Sequence, residues 1–545
     1  MNTNNVCDEL RKLCENARAI NEENLLTILH DNKDTEFGKK YGFADIGSID
    51  EYKKKVPVTD YRDYRDYVTR MLNGERNVIT AYTVEKYGCT SGTTGTSKIV
   101  PKSLTSLERE NTITEDSKNL FRNGNGKRLM ISSFRTYPQV AGKPLYLVSE
   151  IYYDYLLGSG KLNVDEYVGG KDLLMIPEES RDLIYAKAAA ALACDNIDII
   201  EASFLYETVN FFSYLEENWK TITDDLRHHR LPDGLGVPEN VKKYLLSLSV
   251  PDERLDLIER ECSNGFENIA VRLWSGLTLL SGIGHKTFLT EDNALKRYIG
   301  NTAIHYFSYV CSECLIGVPV QLNEHAYVVV PKTGFFEFLP VNAETTDVTY
   351  QPSELETGNM YEIVITNFSG FYRYRIGDVI KVKRFIGESP VVEFKYRKGQ
   401  ALNISGEKID MCQLEKAVFS LHEFGINVND YLIGASVESM PGRYIAVMQT
   451  DSSSNENNGL ISDEKASELL DEAVMKYSPD YKDLRELGQI SEPTVFVCNC
   501  GEYVRFMEET VSGQTRSHIK AKHICSKEVS EKQWKKIIGM IREKE

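Results

Sequence analysis

Apolar residues recur early in the chain at Leu10, Leu13, Ala17, Ile20, Leu25, Leu26, Ile28 and Leu29, the three-to-four spacing that lays one apolar stripe along a helix. The spacing predicts two amphipathic helices over residues 1–35, forming an outer layer. From Tyr52 to Glu75 the chain is rich in Tyr, Arg and Asp, which predicts extended chain and then a helix ending near Asn73-Gly74, its charges on a solvated face. Between Glu178 and Phe204 an alanine-rich helix leads through Asp195-Asn196 into the apolar run Ile197-Asp-Ile-Ile200, a helix-to-strand unit of the α/β kind. Residues 205–262 read as helical, with a break at Pro232-Asp-Gly234.

After Ala270 the period shortens to that of strands. Short apolar runs bounded by turn residues predict strands at Val271 to Leu273, Ile304 to Tyr309, Val318 to Leu322, Ala326 to Val330, Phe335 to Leu339, Met360 to Thr366, Val379 to Val382 and Val391 to Tyr396. Composition shifts at Arg397-Lys-Gly-Gln400, which divides the chain into an N-terminal domain, 1–400, and a smaller C-terminal domain, 401–545. In the latter, the polar loop Asp451 to Gly459 separates a strand at Tyr444 to Gln449 from a helix at Ser462 to Met475. At 545 residues the chain exceeds what one core organises.

Composition narrows the classes. With 64 basic and 81 acidic residues the net charge is −17, which argues against a nucleic-acid partner, because such binding rests on neutralising phosphates with Lys and Arg. No apolar run approaches the roughly 18 residues of a membrane span, and the start MNTNNVCDEL lacks the pattern of a signal peptide. These features predict a soluble cytoplasmic protein with no membrane partner. Eleven irregularly spaced cysteines read as reduced thiols. Cys311-Ser-Glu-Cys314 has redox or zinc spacing, but no nearby His completes a zinc set, so the two read as packing residues.

The stretch Tyr87 to Pro101 holds three glycines, six serines and threonines, and Lys98. Glycine lets backbone N–H groups approach anionic oxygens, hydroxyls add donors, and the lysine adds a charge that can follow a polyphosphate. An ordinary turn is the competing reading. A Walker loop is disfavoured, since Ser97 rather than Gly precedes Lys98 and Ile99 follows it. Three further segments offer chemistry. Tyr309-Val-Cys-Ser-Glu313 supplies an aromatic plate for a base and a carboxylate suited to Mg²⁺. Phe371 to Val379 places Asp378 after a glycine at a strand edge, where it could accept from two ribose hydroxyls. Gly513 to Lys522 presents Lys520 on a basic, glycine-led loop.

The order of these segments resembles the adenylate-forming superfamily of firefly luciferase and acyl-CoA synthetases. More narrowly it resembles the Gretchen Hagen family of acyl-acid amido synthetases, whose plant members conjugate auxin, jasmonate or benzoates to amino acids. The likeness is carried by Thr90 to Lys98, Tyr298-Ile-Gly300, Tyr309 to Gly317, Phe336 to Pro340, Tyr372 to Asp378 and Ser405 to Asp410, and runs from about Thr35 to the end. Departures are Lys98 in the phosphate loop, Cys311 where Ser is usual, and Lys520-Ala-Lys522 where plant members have Lys-x-Pro-Arg.

The resemblance implies a luciferase-like α/β fold of mixed sheets, with a large N-terminal adenylate-forming domain and a small mobile C-terminal domain hinged near Lys398 to Ile404. It implies a monomer using ATP and Mg²⁺ to convert a small carboxylic acid to acyl-AMP and pass the acyl group to an amine, an amino acid. Ser91, Gly92, Thr93, Thr94, Gly95 and Lys98 would hold the phosphates, and Glu313 the Mg²⁺. Tyr309 would face the adenine, with Ser312 in the same nucleotide segment, and Asp378 would fix the ribose. Lys408 and Lys520 would approach the α-phosphate. The alternatives are an acyl-CoA ligase sharing the first step and a silent nucleotide-binding scaffold.

Overall fold

In the computed structural model, the residues described are 8–89, 98–122, 124–133, 139–140, 143–146, 148–177, 180, 182–284, 295–341, 343, 348–398, 404, 407, 409, 411–450, 461–510, 524–525 and 529–543. They form two compact units, one running up to Phe394 and one from Lys395 onward.

The first unit contains a parallel sheet in the order Lys127–Met130, Ile197–Phe204, Leu279–Ile283 and Ala303–Tyr306. Its side chains alternate between faces in rows that cross the strands. Ile200, Leu280 and Ile304 are in register and pack with the helices Leu183–Ala193 and Leu205–Arg227. Ile199 and Leu279 face the other way, with Phe121. On that second face the next row is polar, Glu201, Ser281 and His305. Glu201 pairs with Lys118 at 2.9 Å and Arg128 at 2.5 Å, and the Ser281 hydroxyl meets His305 Nδ1 at 3.0 Å. A buried charge persists only when paired in this way.

The second sheet of this unit has seven strands, in the order Gly334–Pro340, Met360–Asn367, Tyr374–Ile386, Ser389–Arg397, Tyr327–Val329, Leu315–Pro319 and Tyr309–Val310. The helix Ala17–Asn32 seals its first strand. Asn21 exchanges hydrogen bonds with the backbone of Phe336, and Asn24 donates to Pro331 and Gly334 carbonyls. A small sheet pairs Val84–Cys89 with Ile99–Ser103 antiparallel, Cys89 opposite Ile99. The segment expected to grip phosphates is therefore flanked by two paired strands.

Most expected elements occur, with corrections. Ile304 to Tyr309 is not one strand but parts of two in different sheets, Ala303–Tyr306 and Tyr309–Val310, and the strand expected at Val318 to Leu322 is Leu315–Pro319. Val271 to Leu273 is the end of a helical turn, Ile269–Leu273, not a strand. Its buried residues Ile269, Ala270 and Leu273 have helical spacing, which three residues alone could not reveal. Tyr52 to Glu75 does not begin extended, because a helix spans Ile49–Lys55, started by Ser48 accepting from the Glu51 N–H, with acidic residues in its first turn and lysines in its last. Nor is that stretch only a solvated face. Tyr52 and Tyr64 are fully buried, their hydroxyls bonded to Thr366 Oγ1 and the Tyr372 carbonyl. Asp378 lies inside a strand rather than at an edge, as described below.

The second unit has a four-stranded sheet, Thr494–Cys498, Arg443–Thr450, Val428–Ser436 and Ile524–Cys525. Ile433, Tyr444, Ala446 and Met448 face one core, and Leu432, Ile445 and Val447 the other. The expected loop 451–459 falls outside the described residues. Among the described residues no helix is long and apolar enough to cross a membrane.

Candidate active site

The strand Tyr374–Ile386 is interrupted where it meets Met360–Asn367. Arg375 pairs with Val364 and Val379 with Glu362, so three residues, Ile376 to Asp378, stand opposite one. Gly377 sits at φ 86°, a conformation that favours glycine. A bulge re-aims the side chains around it. Here it sets Asp378, 1% exposed, where Tyr309 Oη donates to its Oδ2 at 2.9 Å. The Tyr309 ring is half-buried, 5.6 Å from the Tyr327 ring and 6.1 Å from Phe394. The aromatic plate and the carboxylate, 69 residues apart, are thus one pair.

Four residues before Asp378, Tyr374 reaches two more of the expected residues. Its hydroxyl accepts from Lys98 Nζ at 3.2 Å. Burial first, then the charge of the nearby Glu313 carboxylate, push the phenol's pKa far above the ordinary tyrosine value. Glu313 is buried, in the turn between Tyr309–Val310 and Leu315–Pro319, and its carbonyl accepts from Asn367 Nδ2 at 2.9 Å. Ser312 sits half-buried in the same turn. Lys98 Nζ also lies 5.7 Å from the Tyr61 ring centre, within cation–π range. Tyr61 in turn grips the residue after the lysine. Its hydroxyl accepts from the Ile99 N–H at 2.8 Å and donates to the Ile99 carbonyl at 2.9 Å.

The structure therefore brings Lys98, Tyr309, Glu313 and Asp378 together around the start of one strand. Ser91, Gly92, Thr93, Thr94, Gly95, Lys408 and Lys520 lie outside the described residues. The reading of single motifs missed Tyr61 and Tyr374. The alternation of tyrosines in Phe371-Tyr-Arg-Tyr-Arg was the available signal.

Other buried groups in the same motifs serve packing. The Arg373 guanidinium pairs with Glu337 at 3.1 Å and donates to the Lys53 and Val56 carbonyls. Lys102 pairs with Glu110 at 3.1 Å, and Ser106 donates to the same carboxylate. The Cys311 thiol donates to the Cys314 carbonyl at 3.2 Å, and Cys314 to the Leu315 carbonyl at 3.2 Å. Burial raises the pKa of both thiols.

A single carboxylate suits Mg²⁺, which takes one or two protein carboxylates plus phosphate oxygens and waters. Glu313 is such a carboxylate. Among the described residues no group of three or more His, Cys, Asp or Glu forms a protein cage for a metal.

The fold defines a structural class, one that known ligases share. The chain resembles a 2-hydroxyisobutyryl-CoA ligase in its postadenylation state with a TM-score of 0.56 and 10% identity, over 97% of this chain and 92% of that one, a likeness of fold alone. Within that class the assignment is narrower. Residues 6–304 match the GH3 family N-terminal domain, 327–397 the GH3 family central domain and 412–529 the GH3 family C-terminal domain, and the chain belongs to the GH3 family. Its fold is similar to that of the AtGH3.15 acyl acid amido synthetase in complex with 2,4-DB, with a TM-score of 0.84 and 24% identity over 99% of this chain and 96% of the other. In sequence it is 26% identical over 459 residues to indole-3-acetic acid-amido synthetase GH3.3 of Arabidopsis thaliana, covering 80% of this chain and 77% of the relative.

Proposed function

We propose that the protein is an ATP-dependent acyl-acid amido synthetase, activating a carboxylic acid as acyl-AMP and transferring the acyl group to an amino acid. The observation that carries this reading is the meeting of Lys98, Glu313, Tyr309 and Asp378 on one strand's flank, in a chain of the GH3 family.

A carboxylate cannot acylate an amine at neutral pH, because oxide would have to leave. Adenylation replaces oxide with AMP. In the first half-reaction a carboxylate oxygen attacks the α-phosphorus of ATP and pyrophosphate departs, a displacement promoted chiefly by positioning and charge neutralisation. Lys98 supplies positive charge beside the phosphates, with Ser91 to Gly95 as the expected backbone and hydroxyl donors. Mg²⁺, when bound, neutralises phosphate oxygens, and Glu313 is the residue that would hold it. Tyr309 lays its ring against the base and orients Asp378 toward the ribose hydroxyls. In the second half-reaction the neutral amine attacks the acyl carbonyl and AMP leaves. Resemblance to the family assigns Lys408 and Lys520, in a C-terminal domain that turns about Lys398 to Ile404, to the first half-reaction.

The test is incubation with MgATP, a panel of indole, benzoic and aliphatic acids, and either amino acids or coenzyme A, with mass spectrometry of the products. N-acyl amino acid, AMP and pyrophosphate are the expected products. A thioester formed in preference to an amide would move the protein to the acyl-CoA ligases. Absence of AMP across the whole panel would leave the scaffold reading.

A further inference from the structure

We infer that Tyr61 and Tyr64 are positioning residues for adenylation, two clasps on one turn that set the distance between the end of the segment expected to grip phosphates and the strand that carries Asp378. The inference rests on the adenylation reading for its purpose, while its geometry stands apart from it.

Each hydroxyl holds both polar backbone groups of a single residue. Tyr61 Oη accepts from the Ile99 N–H at 2.8 Å and donates to the Ile99 carbonyl at 2.9 Å. Tyr64 Oη does the same to Tyr372, accepting from its N–H at 2.9 Å and donating to its carbonyl at 2.9 Å. The two targets lie in different parts of the fold. Ile99 follows Lys98 and begins Ile99–Ser103, the outermost strand of the small sheet, so the Tyr61 phenol stands where a further strand would pair. Tyr372 leads into the bulged strand Tyr374–Ile386 of the seven-stranded sheet.

The turn that carries the two tyrosines fixes their separation. The Tyr64 N–H donates to the Tyr61 carbonyl at 3.1 Å across the 3₁₀ turn Tyr61–Asp63, and residues three apart in such a turn lie on one face. Asp60 and Asp63 cap it reciprocally, the Asp60 N–H donating to the Asp63 carboxylate at 2.8 Å. Thr59 roots the turn on the bulged strand, its N–H donating to the Arg373 carbonyl at 2.9 Å and its carbonyl accepting from the Arg375 N–H at 3.0 Å. Tyr61 is therefore an arm extended from the Asp378 strand to Ile99. Packing alone needs only rings: that of Tyr64 lies 4.8 Å from Phe371 and 5.9 Å from Tyr374, contacts a phenylalanine would keep. A nucleotide held at its phosphates by one part and at its ribose by the other depends on their spacing, and misplacement by about 1 Å is costly in such a site. The far end of Ile99–Ser103 has its own tie, Ser103 Oγ donating to the Phe368 carbonyl at 2.7 Å, so loss of a clasp loosens the near end without releasing the strand.

Tyr61→Phe keeps the ring and removes the clasp. In acid-dependent pyrophosphate exchange its KM for MgATP should rise about tenfold, as the loss of two hydrogen bonds does, with kcat within about twofold of wild type and the KM for the acid unchanged. A lower kcat at an unchanged KM for MgATP is what fewer folded molecules would give, and it overturns the inference. Tyr64→Phe should raise the same KM. Because the clasps act in series, the double variant should exceed the larger single effect by no more than about twofold; effects that multiply would mean two local contacts and no link, and overturn it as well. Should Tyr64→Phe fail to fold, the division between KM and kcat in Tyr61→Phe still decides. Hydrogen exchange of the nucleotide-free protein, read by mass spectrometry on peptides spanning Ile99, tests the geometry without chemistry. The Ile99 amide should exchange about tenfold faster or more in Tyr61→Phe than in the wild type, and an unchanged rate overturns the clasp. A wild type that exchanges no pyrophosphate with any acid would sink the adenylation reading, and the amide rates would still decide the link.

Discussion

His305 is a residue whose environment sets its chemistry. Burial first, then the Lys118 ammonium nearby, lower its pKa to about 3, against about 6.5 in an unfolded chain. Between those values the unfolded chain carries a proton the folded chain lacks, so stability falls as pH drops through that window and is unaffected by this group above it. Glu201, in the same polar row, is also buried, but Arg128 and Lys118 outweigh that burial and hold its carboxyl below the usual range, so its share of acid lability begins only below about pH 4.5. Urea midpoints between pH 4.5 and 6.5 should therefore decline less steeply for His305→Gln than for the wild type. Parallel declines would show that His305 is protonated in the folded state. At this scale the sequence disclosed residues beside a turn or glycine, such as Lys98, Glu313 and Asp378. It hid Tyr61 and Tyr374, whose significance lies in partners on distant segments.

The element that matters most is the bulged strand. Its glycine at φ 86° allows three residues to oppose one, and an L side chain there is strained by about 1–2 kcal/mol. Gly377→Ala should lower unfolding stability by about that amount and, because the bulge relaxes, raise the Kd for ATP. Asp378→Ala should raise that Kd about tenfold or more through lost hydrogen bonds. Calorimetric titration with ATP and urea unfolding of both variants make the check, and a Gly377→Ala protein equal to wild type in both would deny the bulge its role. Most strands were legible because their apolar runs are short and bounded by turns. The bulge was not, since pairing register is a property of two strands and one sequence displays each separately. Ile49–Lys55 was legible in its Ser48 cap and charge order but was masked by the density of Tyr and Arg that follows. Arg373, in the left-handed region at φ 45°, has its guanidinium committed to Glu337 and two carbonyls.

For the whole molecule the chain passes from one unit to the other between Phe394 and Lys395, within the strand Ser389–Arg397. The proposed half-reactions make different demands on the two parts. If Lys520 serves adenylation alone, Lys520→Ala should slow acyl-AMP formation by about 10²–10³, the usual effect of removing one group that stabilises developing charge. Amide formation from synthetic acyl-AMP should then be almost unchanged. Lys522→Ala run beside it identifies which lysine acts, and small, equal losses in both steps for both variants would exclude either. The rigidity of the large unit has a different consequence. The strand bearing Tyr374 and Asp378 is hydrogen-bonded to a neighbour along each edge, Met360–Asn367 and Ser389–Arg397. Outside the bulge its paired amides meet solvent only when the sheet itself comes apart, which places half of the proposed nucleotide site in the slowest-exchanging part of the unit. A destabilised variant then loses nucleotide affinity and fold in one event, and activity left in a heated lysate becomes a measure of how many molecules remain folded.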